Sequence, residues 1–125
     1  MIRKFESHTP YIHPSTYIDE PALVSGEVEV SDDVTVRHKA LLHACQVGNR
    51  VLVGMGSIIM DGVIVEDETI IAAGSLVPPK KMLESGFLWV DSPAKKARPL
   101  TDKEKGYLKY SAEHYVRLKV RTENT

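Results

Sequence analysis

Val47-Gly48-Asn49-Arg50-Val51-Leu52-Val53-Gly54-Met55-Gly56-Ser57-Ile58-Ile59-Met60-Asp61-Gly62-Val63-Ile64-Val65 places a branched aliphatic residue at every sixth position, at Val47, Val53, Ile59 and Val65. Outward from this stretch the same spacing continues to Ile71 and Val77, and back through Val36, Val30, Val24, Ile18 and Ile12, with one slip read at Leu41. Two residues before most of these sits a compact or β-branched residue: Thr16, Ala22, Val28, Val34, Cys45, Val51, Ser57, Val63, Thr69 and Ser75. Strand side chains repeat with a period of two, so each such pair points to one face. Gly, Asp and Asn fall between the pairs, as in Val24-Ser25-Gly26-Glu27 and Met60-Asp61-Gly62, and these types accept the tight backbone of a corner. A helical reading fails over 12–77, because six matches neither 3.6 nor seven and the β-branched content is high.

Hexapeptides of this kind resemble the left-handed parallel β-helix, in which three short strands close one triangular coil and each coil pairs with the next. The expected fold is mainly β, with about four coils over 12–79 rising about 20 Å at the usual strand spacing. The left hand comes from the resemblance and departs from the right-handed crossover rule. After Val77 the repeat gives way at Pro78-Pro79, so 80–100 is expected to connect the prism to a terminal helix over 101–120. Thr101 with Glu104 reads as a capping box. Tyr107, Leu108, Ser111, Ala112, Tyr115 and Leu118 form one stripe at helical spacing that would lie on the outside of the prism, and the tyrosines read as packing residues.

A chain of 125 residues has room for one domain. It lacks both an apolar run of membrane-spanning length and an apolar leader, and the expected location is cytoplasmic. One cysteine excludes an intrachain disulfide and a CxxC zinc or redox pair. The net charge of -1 conceals 5 Lys+Arg against 11 Asp+Glu in residues 1–79, and 11 against 6 in residues 80–125. That basic tail is too sparse for a nucleic-acid surface and reads as lying on the body or on a neighbouring subunit.

Of the five histidines, His8, His13, His38, His43 and His114, only His38 and His43 share a telling context, in Val36-Arg37-His38-Lys39-Ala40-Leu41-Leu42-His43-Ala44-Cys45 at the slip in the repeat. Paired imidazoles there raise a metal-ligand reading. Asp33-Val34-Thr35-Val36-Arg37-His38-Lys39, Leu42-His43-Ala44-Cys45 and Val47 through Ser57 closely resemble the gamma-class carbonic anhydrase-like hexapeptide proteins. So do Ala72-Ala73-Gly74-Ser75-Leu76-Val77-Pro78, Glu84-Ser85-Gly86, Ser92-Pro93-Ala94-Lys95 and Arg98-Pro99-Leu100, and the resemblance covers about 30 to 120.

The resemblance implies a homotrimer with zinc between subunits, held by two histidines of one chain and one of its neighbour. The metal would acidify a water that attacks carbon dioxide. By motif, His38 matches the histidine given across the interface and His43 one of the pair opposite. The third histidine, which family members carry on an earlier coil with a supporting arginine, aspartate and glutamine, has no match. Val24-Ser25-Gly26-Glu27-Val28-Glu29-Val30 runs directly into Ser31-Asp32-Asp33-Val34, as though about two coils were removed in frame, a loss a solenoid tolerates. Arg37 replaces a glycine beside the ligand, where a cation turned toward the metal would oppose it and one swung toward solvent would be harmless. His8 or His13 is the available substitute ligand, Cys45 reads as core, and His114 as surface or helix packing. The functional expectation is a trimeric scaffold or binding protein with a partial metal site and without efficient carbon dioxide hydration. A working zinc-dependent gamma-type carbonic anhydrase is the first alternative. The second is a hexapeptide acyltransferase using His38 or His43 as general base, against which stands the absence of an acceptor-binding loop.

Overall fold

A computed structural model describes residues 2–3 and 9–123, with side chains as far as His114 in the terminal helix. The expectation for His8, and the packing of Tyr115 and Leu118, lie outside the described residues and side chains. The chain winds through β1 (Ile2–Arg3), β2 (Tyr11–Ile12) and β3 (Tyr17–Ile18), then β4 (Leu23–Ser25), β5 (Glu29–Val30) and β6 (Thr35–Val36). It continues through β7 (Leu41–His43), β8 (Gln46–Val47) and β9 (Val51–Val53), then β10 (Ile58–Ile59), β11 (Ile64–Val65) and β12 (Thr69–Ile71). A last set follows: β13 (Leu76–Val77), β14 (Met82–Leu83) and β15 (Phe87–Val90). Every third strand pairs in parallel, giving three faces: β1-β4-β7-β10-β13, β2-β5-β8-β11-β14 and β3-β6-β9-β12-β15.

This is a parallel β-helix of about five coils rather than four. The extra coil comes from both ends of the repeat. β1 adds a strand below Val24, and Pro78-Pro79 does not end the winding as expected. It forms a corner with Lys80 in the left-handed region (φ 63), after which β14 pairs with β11 and β15 with β12. Proline removes a ladder donor only where it sits in a strand, and here it sits in the turn. Leu83 and Trp89 then occupy the inward positions.

Val53, Ile59, Val65 and Ile71 are buried as the six-residue spacing predicts, and so are the compact partners Val51, Ser57, Val63 and Thr69. Ile59→Ala should cost about 2 to 5 kcal/mol, because neighbouring coils cannot collapse into the space it leaves. Chemical denaturation of the pair would measure it, and an unchanged midpoint would place Ile59 outside the core.

One inward position differs from the expectation. Leu42, not Leu41, is fully buried, while Leu41 faces outward and is half-buried. The six-residue step therefore runs unbroken from Val36 to Leu42, and the short step falls between Leu42 and Val47. Val24 pairs with Leu42 and Leu42 with Ile59, so the upper coil closes with one residue fewer. Two adjacent leucines satisfy a period of two equally well, and a shift by one reverses their faces. The shortened corner is made by Ala44 in the left-handed region (φ 49), stacked in a column with Gly26 and Gly62.

Beyond the fifth coil, β16 (Lys95–Pro99) folds back antiparallel on β15. The helix α1 (Asp102–Glu123) then runs down the third face against β3 and β6. Leu108, Ser111 and Ala112 are buried beneath it, and Thr35 Oγ1 lies 3.3 Å from Ser111 Oγ. The small residues at 111 and 112 let the helix approach closely. Tyr107 was expected on this stripe but is exposed, one residue round from Leu108, and its ring meets Tyr110, which stacks on His114 at 5.4 Å. The capping box forms: Thr101 N–H donates to Glu104 Oε1 (2.9 Å) and Glu104 N–H to Thr101 Oγ1 (3.1 Å). Arg98 grips the same carboxylate with both terminal nitrogens and, with the Thr101 N–H, holds it down at about 2. That depressed carboxyl steadies the helix start above the ordinary carboxylate range, and the contribution fades as pH falls through about 2.

Candidate functional site

His38 and His43 stand at opposite ends of one strand of the first face. His38 lies in the corner that leads from β6 into β7, where its carbonyl accepts the Gly56 N–H (3.1 Å) and Lys39 takes the left-handed conformation (φ 62). His43 is the last residue of β7, next to the shortened corner. The structure gives them separate carboxylate partners, Asp19 for His38 and Asp61 for His43. Among the described residues, no three His, Cys, Asp or Glu side chains come together as a metal cage.

Each histidine has a partner from a neighbouring coil. His38 Nδ1 is 2.7 Å from Asp19 Oδ2, and the same oxygen is 3.3 Å from Arg37 Nε. Asp19 is only 8% exposed and is held by the ladder itself, its N–H donating to the Val36 carbonyl at 2.8 Å. Sequence reading did not single it out. The signal that finds it is coil arithmetic: Ile18 pairs with Val36, so Asp19 lies directly beneath Arg37. The guanidinium of Arg37 is thereby drawn to a carboxylate, which answers the cation's charge.

His43 Nε2 lies 3.7 Å from Asp61 Oδ1, whose carboxylate is largely exposed. In register beneath His43, on β4, is Ser25, a buried hydroxyl. Cys45 is buried in the core as expected, and burial, then the nearby Asp61 charge, pushes its thiol up to about 12. A thiol so protonated is a poor ligand and nucleophile. His13 sits between β2 and β3, where its Nδ1 accepts the Ser15 N–H at 3.1 Å.

Outward residues of the first face form a ladder of Leu23, Leu41, Ile58 and Leu76, running up the prism between the two histidine corners. The second face is different, with Tyr11, Glu29, Gln46, Ile64 and Met82 outermost. Among the described residues it is lined by open grooves of about 570 and 370 Å³, the larger reaching Ala44 and Cys45 just after His43, with no histidine in either lining. The helix covers part of the third. No helix among the described residues is long and apolar enough to cross a membrane.

Residues 44–79 match the bacterial transferase hexapeptide (six repeats) family. Over 107 residues the chain is 54% identical to protein YrdA of Escherichia coli strain K12, an alignment covering 86% of this chain and 56% of that protein. Gamma carbonic anhydrase 2, mitochondrial, of Arabidopsis thaliana is 44% identical over 98 residues, covering 76% of this chain and 35% of the plant protein. The chain thus spans about half the length, or less, of these curated relatives. A crystal structure of a hexapeptide transferase family protein from Anaplasma phagocytophilum superposes with a TM-score of 0.74 at 28% identity, covering 94% of this chain and 95% of that one.

Proposed function

This chain is a hexapeptide-repeat protein related to the gamma-class carbonic anhydrases, and from that premise we propose that it assembles as a homotrimer with a partial metal site between subunits and without efficient carbon dioxide hydration. The observation that carries the reading is Ser25, which stands in register one coil below His43. On the resemblance, the third imidazole comes from an earlier coil. Here the residue stacked next to His43 on that side is a hydroxyl, and a serine hydroxyl is no substitute for imidazole toward zinc.

Assembly through the first face is supported by its aliphatic ladder. Ile58, outermost at 36% exposed, and its half-buried neighbours form a continuous apolar stripe on a small prism, and such stripes favour burial against a second copy. Packing of this kind would set the His38 end of one copy near the His43 end of another. The donor chemistry fits zinc, imidazole nitrogens with Asp19 behind one of them, but two imidazoles fall short of the three protein ligands usual in an open zinc site. Bound zinc would supply a water acidified toward neutral pH. The protein's own residues would then hold that metal weakly.

Purified protein should contain well under one zinc per protomer by elemental analysis, and added zinc should raise carbon dioxide hydration barely above background in stopped flow. Stoichiometric zinc together with rapid hydration that His43→Ala abolishes would overturn this reading in favour of a working enzyme, and would send the search for the third ligand to His8 or His13.

A further inference from the structure

We propose that Asp19 is the positioning residue for His38, holding its neutral ring as the Nδ1–H tautomer so that Nε2 carries the lone pair offered outside the prism. A carboxylate only accepts, so the 2.7 Å contact between His38 Nδ1 and Asp19 Oδ2 places the ring proton on Nδ1. The half-exposed ring then has its one acceptor atom at Nε2. Asp19 can do this because it is itself immobile. It is nine-tenths buried, its N–H is bound to Val36 and its carbonyl accepts the Ala22 N–H at 2.9 Å.

Arg37 shares the oxygen, with Nε at 3.3 Å. The guanidinium keeps the carboxylate in place and is itself drawn toward the prism, so a residue whose charge could have opposed a metal here becomes part of the support for His38. Such carboxylate–histidine pairs fix the orientation and basicity of a ligand imidazole. The consequence for metal binding rests on the partial-site reading above. The tautomer itself does not.

The test is long-range ¹H–¹⁵N correlation on metal-free, ¹⁵N-histidine-labelled protein, with His38 assigned by its loss in His38→Gln. The wild type should show the Nδ1–H pattern at His38. Asp19→Asn, whose amide oxygen still accepts, should keep it, and Asp19→Leu should convert the signal to the Nε2–H form that an unconstrained imidazole prefers. An Nε2–H signal in the folded wild type would overturn the proposal. So would an unchanged Nδ1–H signal in folded Asp19→Leu. If Asp19→Leu does not fold, the wild-type and Asp19→Asn spectra decide. Zinc titration is read separately: Asp19→Leu should weaken zinc binding about 10 to 100-fold. A wild type that binds no zinc at any concentration would refute the metal reading and leave the tautomer assignment standing.

Discussion

Leu42→Asp should leave no folded protein, whereas Leu41→Asp should leave a folded monomer. Leu42 lies in the column Val24, Leu42, Ile59 and Val77 and is fully buried. A carboxylate there meets aliphatic side chains above and below and no partner, a cost of several kcal/mol for an uncompensated buried charge. Domains are stable by only about 5 to 15 kcal/mol, so this and the lost packing together exhaust the margin. One residue earlier, Leu41 points out between Leu23 and Ile58. A carboxylate there remains hydrated in the monomer but would be desolvated in a subunit contact. Circular dichroism and light scattering separate the two effects. A Leu41→Asp protein that unfolds while Leu42→Asp survives would reverse the register of β7. A Leu41→Asp protein that stays trimeric would move the interface off this face.

Ser25→His should raise zinc affinity about a hundredfold. Complete structural zinc sites are worth about 10 to 16 kcal/mol over four ligands, so one added imidazole contributes about 3 kcal/mol, or roughly two decades. The position suits the change, because strands of adjacent coils are about 4.8 Å apart and Ser25 is register-paired with His43. The same variant should gain zinc toward one per protomer on purification, and Ser25→His combined with His43→Ala should lose that gain. If Ser25→His binds zinc no better than the wild type while remaining folded and trimeric, His43 is not a ligand and the partial-site reading falls.

The six-residue period by itself determined the β-helix, the compact partners and the inward set from Val24 to Val77 except at Leu41-Leu42, while the Thr101/Glu104 box and the 3.6-residue stripe after it determined the capped terminal helix. Each depends on local periodicity or on contacts a few residues apart, and a strand that must bury one face writes its pattern into the sequence. Periodicity does not say where a short step falls between two adjacent leucines, nor whether Pro78-Pro79 ends a coil or turns a corner. Those outcomes depend on stacking. Val24 and Ile59 select Leu42, and the open upper edges of β11 and β12 accept β14 and β15. The site divides in the same way. His38, His43 and the want of a motif match for a third ligand histidine are visible as residues in a line. Asp19 beneath Arg37 and His38, Ser25 beneath His43, and the aliphatic ladder joining the two corners exist only once the coils are laid on one another, because the groups that meet are separated by a whole turn of the prism.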